Sequence, residues 1–393
     1  MGEAGGTLHT ETGRWPVIGA GDGFVAVFGA DHAEETPRGL VFHRLPPRAL
    51  GRIHTEFFRV VEAQPSGVRL ALRSRATEIE LDVSTTALTL FPDEPVNGYG
   101  QFDLVVDGKL HSEFIVRTGG VRTADILANS STVEAADSVT VRFDNLPEGD
   151  KSVEIWLPHN VEVAVQRIRA DAPLAASDNP RRTWLHYGSS ISHGMNAQGP
   201  MGTWPAVAAA VADVSLVNLG FSGNAMLDPF VATAIRDQSA DIITLKIGIN
   251  IINHDGFRAR TFVPAVVSFL DTVREGHPTI AIWVVSSILC PIVEDRPGPT
   301  LIVGEPGARV AMTQGLPEEI ARGRLSLSLT RDLLKQVVES RSVDDPNLHY
   351  LDGRELYGEA ENLSMPMRDR LHPDSEAQRH IGLRFAELVL GSN

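Results

Sequence analysis

The chain contains one cysteine, Cys290, in 393 residues, which rules out an intrachain disulfide and suits a reducing compartment. Aromatic residues are scarce, at 6%, so no broad platform for stacking sugars is evident. Basic residues are outnumbered, 35 Lys and Arg against 50 Asp and Glu, for a net charge of -15. Nucleic acid and anionic membranes both require a basic surface, so neither is expected as a main partner. No stretch approaches the roughly 20 apolar residues needed to span a bilayer. The Gly- and Thr-rich segment from Met1 to Trp15 has no continuous apolar run of the kind found in a signal peptide. A cytoplasmic location is the resulting expectation. Oligomeric state cannot be read from these features.

The chain does have length enough for two domains, taking roughly 100–200 residues per domain. Its two halves follow different patterns. From about Val17 to Ala170 short alternating runs are separated by turns. Glu78–Val83 alternates strictly, Phe102, Leu104 and Val106 alternate again, and Asp107-Gly108 supplies hairpin chemistry before Leu110–Val116. Val139–Phe143, Val153–Leu157 and Val161–Val165 repeat the pattern, which predicts an antiparallel sandwich or jelly roll over residues 1–171. Ala172–Arg182, with Pro173, Asp178, Asn179 and Pro180, reads as a linker.

Residues 183–393 alternate between strands and helices. Strand-like Thr183–Tyr187, Ser215–Leu219, Asp241–Ile247, Thr279–Ser286 and His349–Leu351 are interspersed with helical Trp204–Val211, Ala259–Arg274, Pro317–Ser340 and Ser375–Leu390. This order predicts an α/β domain with a mostly parallel sheet covered on both faces. In such sheets the reactive groups collect at the carboxyl ends of the strands.

Four polar clusters fall at those places. Gly188-Ser189-Ser190-Ile191-Ser192-His193-Gly194 follows the first strand and presents a hydroxyl at a strand-to-helix turn. Asn218–Asn224 follows the second, with Gly220 and Gly223 allowing the backbone to approach a ligand and aim N–H groups at it. Gly248-Ile249-Asn250 follows the third, where a side-chain amide can donate to a developing oxyanion. Asp369-Arg370-Leu371-His372 precedes the last helix; a carboxylate three residues before a histidine can bond Nδ1 and leave Nε2 free as a base. Each cluster alone is explained as well by an ordinary turn, and their conjunction in this order is what points to chemistry.

The set resembles the four sequence blocks of the GDSL, or SGNH, hydrolases over roughly Thr183 to the C-terminus. The resemblance implies a flavodoxin-like parallel sheet sandwiched by helices. It also implies Ser190 as nucleophile, His372 as base and Asp369 as its orienting acid. The backbone N–H groups of Ser190 and Gly223 and the Asn250 side chain would form the oxyanion hole. Two positions depart from the family pattern: Ser189 stands where an aspartate precedes the nucleophile, and Ile251 where an aspartate follows the block-three asparagine. Altered loop contacts are expected there. The register against Gly194 selects Ser190, not Ser189, as the attacking serine.

The resemblance implies acyl transfer through an acyl-enzyme, with no metal or cofactor required. A short-chain ester, such as an acetyl group on a sugar or small metabolite, is the expected substrate. An N-terminal sandwich ahead of such a domain is similar to the layout of some carbohydrate esterases. Two alternatives stay open: the same residues could pass the acyl group to an alcohol, or the chain could be a non-catalytic binding module on an esterase fold. The second predicts a lost nucleophile or base, and both are present. Other conspicuous residues have plainer readings. Cys290 is expected to be a buried, inert thiol, and Trp204 to pack at a helix start. His54 and Glu56 suggest a metal pair, but alternation on a strand explains them at least as well, and Glu294–Pro299 is expected to form a solvated loop placed like a lid. His193 and His254 follow reactive blocks and are candidates for substrate contact.

Overall fold

The computed structural model describes residues 7–8, 14–16, 24–178 and 181–391. Most of the Met1–Trp15 segment, and Asn179 and Pro180 of the expected linker, lie outside these residues. The chain divides into two compact units. The first runs to Arg181 and also takes in Gln198–Met201 and Ser215–Asn218; the second holds Arg182–Ala197, Gly202–Val214 and everything from Leu219 onward.

The first unit is built from two largely antiparallel sheets. One is centred on Ile79–Thr89, which pairs with Val161–Ala170 and Val139–Phe143 antiparallel and with Gly120–Asp125 in parallel. The other joins Arg69–Ser74, Lys151–Trp156, Gln101–Val106 and Lys109–Ile115. Alternation dictates which side chains enter the shared core: Ile79, Leu81 and Val83 are fully buried while Glu80 and Asp82 between them stay partly wet. At the expected hairpin, Asp107 and Gly108 adopt φ of 46° and 77°, the left-handed pair that matches the twist of the strands they connect.

Two expectations for this half fail locally. His54 and Glu56 do not lie on a strand. Glu56 opens the helix Glu56–Glu62, because the Thr55 side chain accepts the Phe58 N–H and caps it. Part of the expected linker is also a strand: Leu174–Ala176 pairs antiparallel with Arg69–Ser74, and Ser74 Oγ donates to the Pro173 carbonyl. Pro173 signals a turn, but it leaves the following N–H groups free to join a sheet edge.

In the five-stranded sheet the strands are numbered from Thr183. They are β1 (Thr183–Gly188), β2 (Ser215–Gly220), β3 (Ile242–Ile247), β4 (Ala281–Ser286) and β5 (Leu348–Leu351), in the order β2-β1-β3-β4-β5. β1, β3, β4 and β5 pair in parallel. This is the flavodoxin-like order of a doubly wound fold. Burial from Ile243 through Ile247 is continuous, as required of a strand covered on both faces. Ile243, Leu245 and Ile247 each contribute about 1.5–3 kcal/mol by leaving water. The helices are α1 (Ser190–His193), α2 (Trp204–Ala212), α3 (Pro229–Asp237), α4 (Ile249–Asn253), α5 (Ala259–Gly276), α6 (Leu327–Arg341), α7 (Glu359–Ser364) and α8 (Ser375–Phe385). Trp204 starts α2 and is fully buried against His186 and Phe385, in keeping with its packing role.

The helix expected over Pro317–Ser340 is two elements. A 3-10 turn, Pro317–Arg322, ends at Gly323 with φ 89°, and α6 restarts after Ser326, whose side chain accepts the Leu329 N–H. The Glu294–Pro299 loop is anchored, not freely solvated: Glu294 pairs with the buried Arg331, and Pro297 and Gly298 are buried. It leads into a two-stranded hairpin, Thr300–Val303 with Val310–Thr313, that the Pro- and Gly-rich sequence around it conceals.

Candidate active site

The loops after β1, β2 and β3 and the turn before α8 carry the residues that the sequence singles out. After β1, Ser189 is the N-cap of α1 and its Oγ accepts the Ile191 N–H at 3.3 Å. A capping serine thus stands where the family pattern has aspartate. Ser190 follows in the first turn, and Gly194 closes the helix at φ 104°, a conformation that favours glycine. Gly188 leaves room for Ser192, because a side chain there would collide with the Ser192 hydroxyl.

Ser190, His372 and Asp369 form one hydrogen-bonded line. Ser190 Oγ lies 2.9 Å from His372 Nε2, and His372 Nδ1 lies 2.7 Å from Asp369 Oδ2. The other Asp369 oxygen accepts the backbone N–H groups of Leu371 and His372, at 2.9 and 2.8 Å. Burial alone would raise the Asp369 carboxyl. The hydrogen bond and charge of His372, with the two backbone donors, outweigh it and bring the carboxyl down to about 2. An ionised Asp369 accepts from Nδ1–H, which leaves Nε2 as the acceptor for the Ser190 hydroxyl proton.

The turn that carries this pair is braced from outside. Arg370 has φ 64°, an uncommon conformation for a non-glycine residue. Its carbonyl accepts the Cys290 thiol at 3.5 Å, and the Asp369 carbonyl accepts the Ala311 N–H of the hairpin at 2.8 Å. Cys290 is buried, and its thiol is pushed up to about 12, mainly by that burial and by the neighbouring Glu294 carboxylate. It is a poor nucleophile in this setting.

Gly223 sits on the loop after β2, and Asn250 on α4. Gly223 has φ 71°, and the loop is joined to the Ser190 turn by the Phe221 N–H, which donates to the Gly188 carbonyl at 2.8 Å. Asn250 is buried in the first turn of α4, and its Oδ1 accepts the Ala225 N–H at 3.1 Å. That bond commits the oxygen and turns the Nδ2 donor the other way. Among the described residues, the N–H groups of Ser190 and Gly223 and the Asn250 Nδ2 donate to no protein acceptor. Ile251, at the second departure from the family pattern, is fully buried and supports α4 by packing.

Three further residues brace the site: His186 and Asn196, which the sequence reading passed over, and His254, whose partner it did not anticipate. His186 on β1 is buried, with Nε2 2.8 Å from Ser192 Oγ and Nδ1 2.6 Å from Thr244 Oγ1, so it braces α1 from beneath. Burial, then the nearby Lys246 charge, holds its pKa well below the ordinary histidine value, so it stays neutral. Asn196 donates to Asp369 Oδ2 at 3.4 Å. His254 donates from Nε2 to the Gly223 carbonyl at 2.9 Å. All three act through hydrogen bonds across the fold, which no local motif encodes. Among the described residues no group of three or more His, Cys, Asp or Glu side chains is arranged to hold a metal, and no helix is long and apolar enough to cross a membrane.

Residues 182–291 match the GDSL-like lipase/acylhydrolase family. Among solved structures, a salicylyl-acyltransferase from a tetracycline biosynthetic pathway is 26% identical, with a TM-score of 0.77 over 94% of this chain and 96% of its own. A GDSL-like lipase from Bacteroides ovatus, itself described as putative, is 19% identical with a TM-score of 0.64, over 92% and 93% of the two chains. A family two carbohydrate esterase from Clostridium thermocellum, in complex with cellohexaose, is 15% identical with a TM-score of 0.55, over 82% and 91%. No curated protein matches the chain in sequence.

Proposed function

We propose that this protein is a serine-dependent acyl-transfer enzyme that takes a short acyl group from an ester onto Ser190 and releases it to water. The observation that carries this reading is the line from Ser190 Oγ through His372 to Asp369, at 2.9 and 2.7 Å. In the first half-reaction His372 Nε2 takes the Ser190 proton as Oγ attacks the ester carbonyl. The new O–C bond places negative charge on the carbonyl oxygen. The N–H groups of Ser190 and Gly223 and the Asn250 amide receive it. Collapse of the intermediate expels the alcohol, which takes its proton from His372. Water then attacks the acyl-Ser190 ester, giving its proton to His372, and the acid leaves as Oγ recovers the proton. Asp369 orients the imidazole and stabilises its cation throughout, without itself accepting the proton.

A second reading replaces water with an alcohol acceptor. The salicylyl-acyltransferase favours it, being similar over nearly the whole length of both chains. The GDSL-like lipase and the carbohydrate esterase on the same fold favour hydrolysis, and the cellohexaose complex of the latter favours an ester carried on a sugar. Incubation with p-nitrophenyl acetate, with and without candidate alcohols and with product analysis, tests both. Acetate as sole product supports hydrolysis, a new ester supports transfer, and absence of p-nitrophenol release beyond a Ser190→Ala control refutes the enzyme reading.

A further inference from the structure

His254 lies one helical turn beyond Asn250, and the two side chains engage successive parts of the same loop. Asn250 Oδ1 accepts the Ala225 N–H at 3.1 Å, and His254 Nε2 donates to the Gly223 carbonyl at 2.9 Å. Residues four apart share one face of a helix, so α4 and its C-cap residue present these two groups to the loop together. We propose that Asn250 and His254 act as a clip that fixes the orientation of the Gly223 N–H, making His254 a positioning residue for acyl transfer. This inference rests on the function proposed above.

The argument follows from counting the groups of two peptide units. The unit joining Gly223 to Asn224 is held at both ends: its N–H donates to the Phe221 carbonyl at 3.0 Å, and its carbonyl accepts from His254. The preceding unit, joining Ser222 to Gly223, is held through its carbonyl, which accepts the Asn224 side-chain amide. Of the four polar groups, only the Gly223 N–H has no hydrogen-bond partner among the described residues. His254 is the one holder that comes from outside the loop. Gly223 also has φ 71°, and a glycine can leave that conformation more freely than any other residue, so its restraint has to come from neighbours. An oxyanion donor is effective only if it is aimed before the charge develops. The contact therefore acts on the transition state and leaves ground-state binding alone. A carbonyl can only accept, so the His254 nitrogen facing it carries a proton in both the neutral and the cationic imidazole. The clip holds whichever form is present.

The test uses the full chain with p-nitrophenyl acetate. H254A is expected to lower kcat about tenfold at unchanged KM, less than the roughly 10²–10³ lost when a donor is deleted outright. H254Q, whose amide nitrogen can occupy the Nε2 position, should restore most of the rate with the wild-type pH profile. H254N, whose amide nitrogen falls at the Nδ1 position, should not. If H254A does not fold, the Gln and Asn variants decide the matter alone. Wild-type kcat in H254A, equal recovery by Asn and Gln, a loss confined to KM, or an ionisation missing from the H254Q profile would each overturn the proposal. Activity surviving in S190A would instead overturn the functional reading beneath it, so the two failures are distinguishable.

Discussion

The two sides of the candidate site are built differently. The base side is nearly self-contained: Asp369 binds the N–H groups of Leu371 and His372 and the His372 ring within four residues. Cys290, Ala311 and Asn196 only brace it from outside. The proposed oxyanion side is assembled from segments remote in sequence: the Ser190 turn, the Phe221–Ala225 loop and α4 with His254. Its hydrogen bonds run from Phe221 to Gly188, Ala225 to Asn250 and His254 to Gly223. A local device tolerates the loss of an outside brace, whereas a long-range one loses its aim when any link is removed.

The largest effects should come from the groups both sides serve. S190A and H372A should each lower kcat about 10⁴-fold or more, while S189A leaves the attack intact. D369N should cost less than H372A by about tenfold or more, because the imidazole can still move a proton when it is less well oriented. Equal loss in these two variants would break the assignment of separate roles. N250A is expected to lower kcat by roughly 10²–10³, since it removes an oxyanion donor and one link of the clip together. Wild-type turnover there would reduce the block-three match to a turn.

These expectations follow how the sequence could be read. Asp369-x-x-His372 was legible because its geometry is local: three residues of separation bring the carboxylate to Nδ1. Ser190 was legible from its place after a strand and its register against Gly194. The alternating strands from Ile79 to Val165 announced their faces, and Asp107-Gly108 announced its turn. Gly223 and Asn250 were marked only by resemblance, since glycine and asparagine are common in turns. The His254 contact to the Gly223 loop was not legible, because its partner lies 31 residues away and is a carbonyl, which carries no side-chain signature. His186 was not singled out, because its partners, the hydroxyls of Ser192 and Thr244, are joined to it by no motif. The break at Gly323 shows the opposite case, where a glycine with a capping serine three residues on was readable and the longer helical periodicity obscured it.

Smaller effects sharpen the contrast. C290A removes a weak S–H donor from a turn that closes on itself, so activity should fall no more than about two- to threefold. A larger loss would make the base side as dependent on remote braces as the oxyanion side. Acid should strike the base side selectively. Asp369 is held at about 2, below the ordinary carboxylate value of 3.8, so its contribution to stability is present above about 3.8 and lost as pH falls toward 2. The difference in melting temperature between wild type and D369N should therefore shrink between pH 5 and pH 2.5. A constant difference would mean that the carboxylate charge adds nothing to the folded state.

The central claim, that Ser190 is the hydroxyl activated by His372 and Asp369, is tested most directly by covalent labelling. A serine-directed organophosphonate applied to the full chain, followed by intact mass measurement and peptide mapping, should give one adduct on the peptide containing Ser190. Fragmentation should place it on Ser190, the adduct should persist in S189A, and it should vanish in S190A. An adduct on Ser189 or on any other serine, or labelling that proceeds unchanged in H372A, would contradict the account.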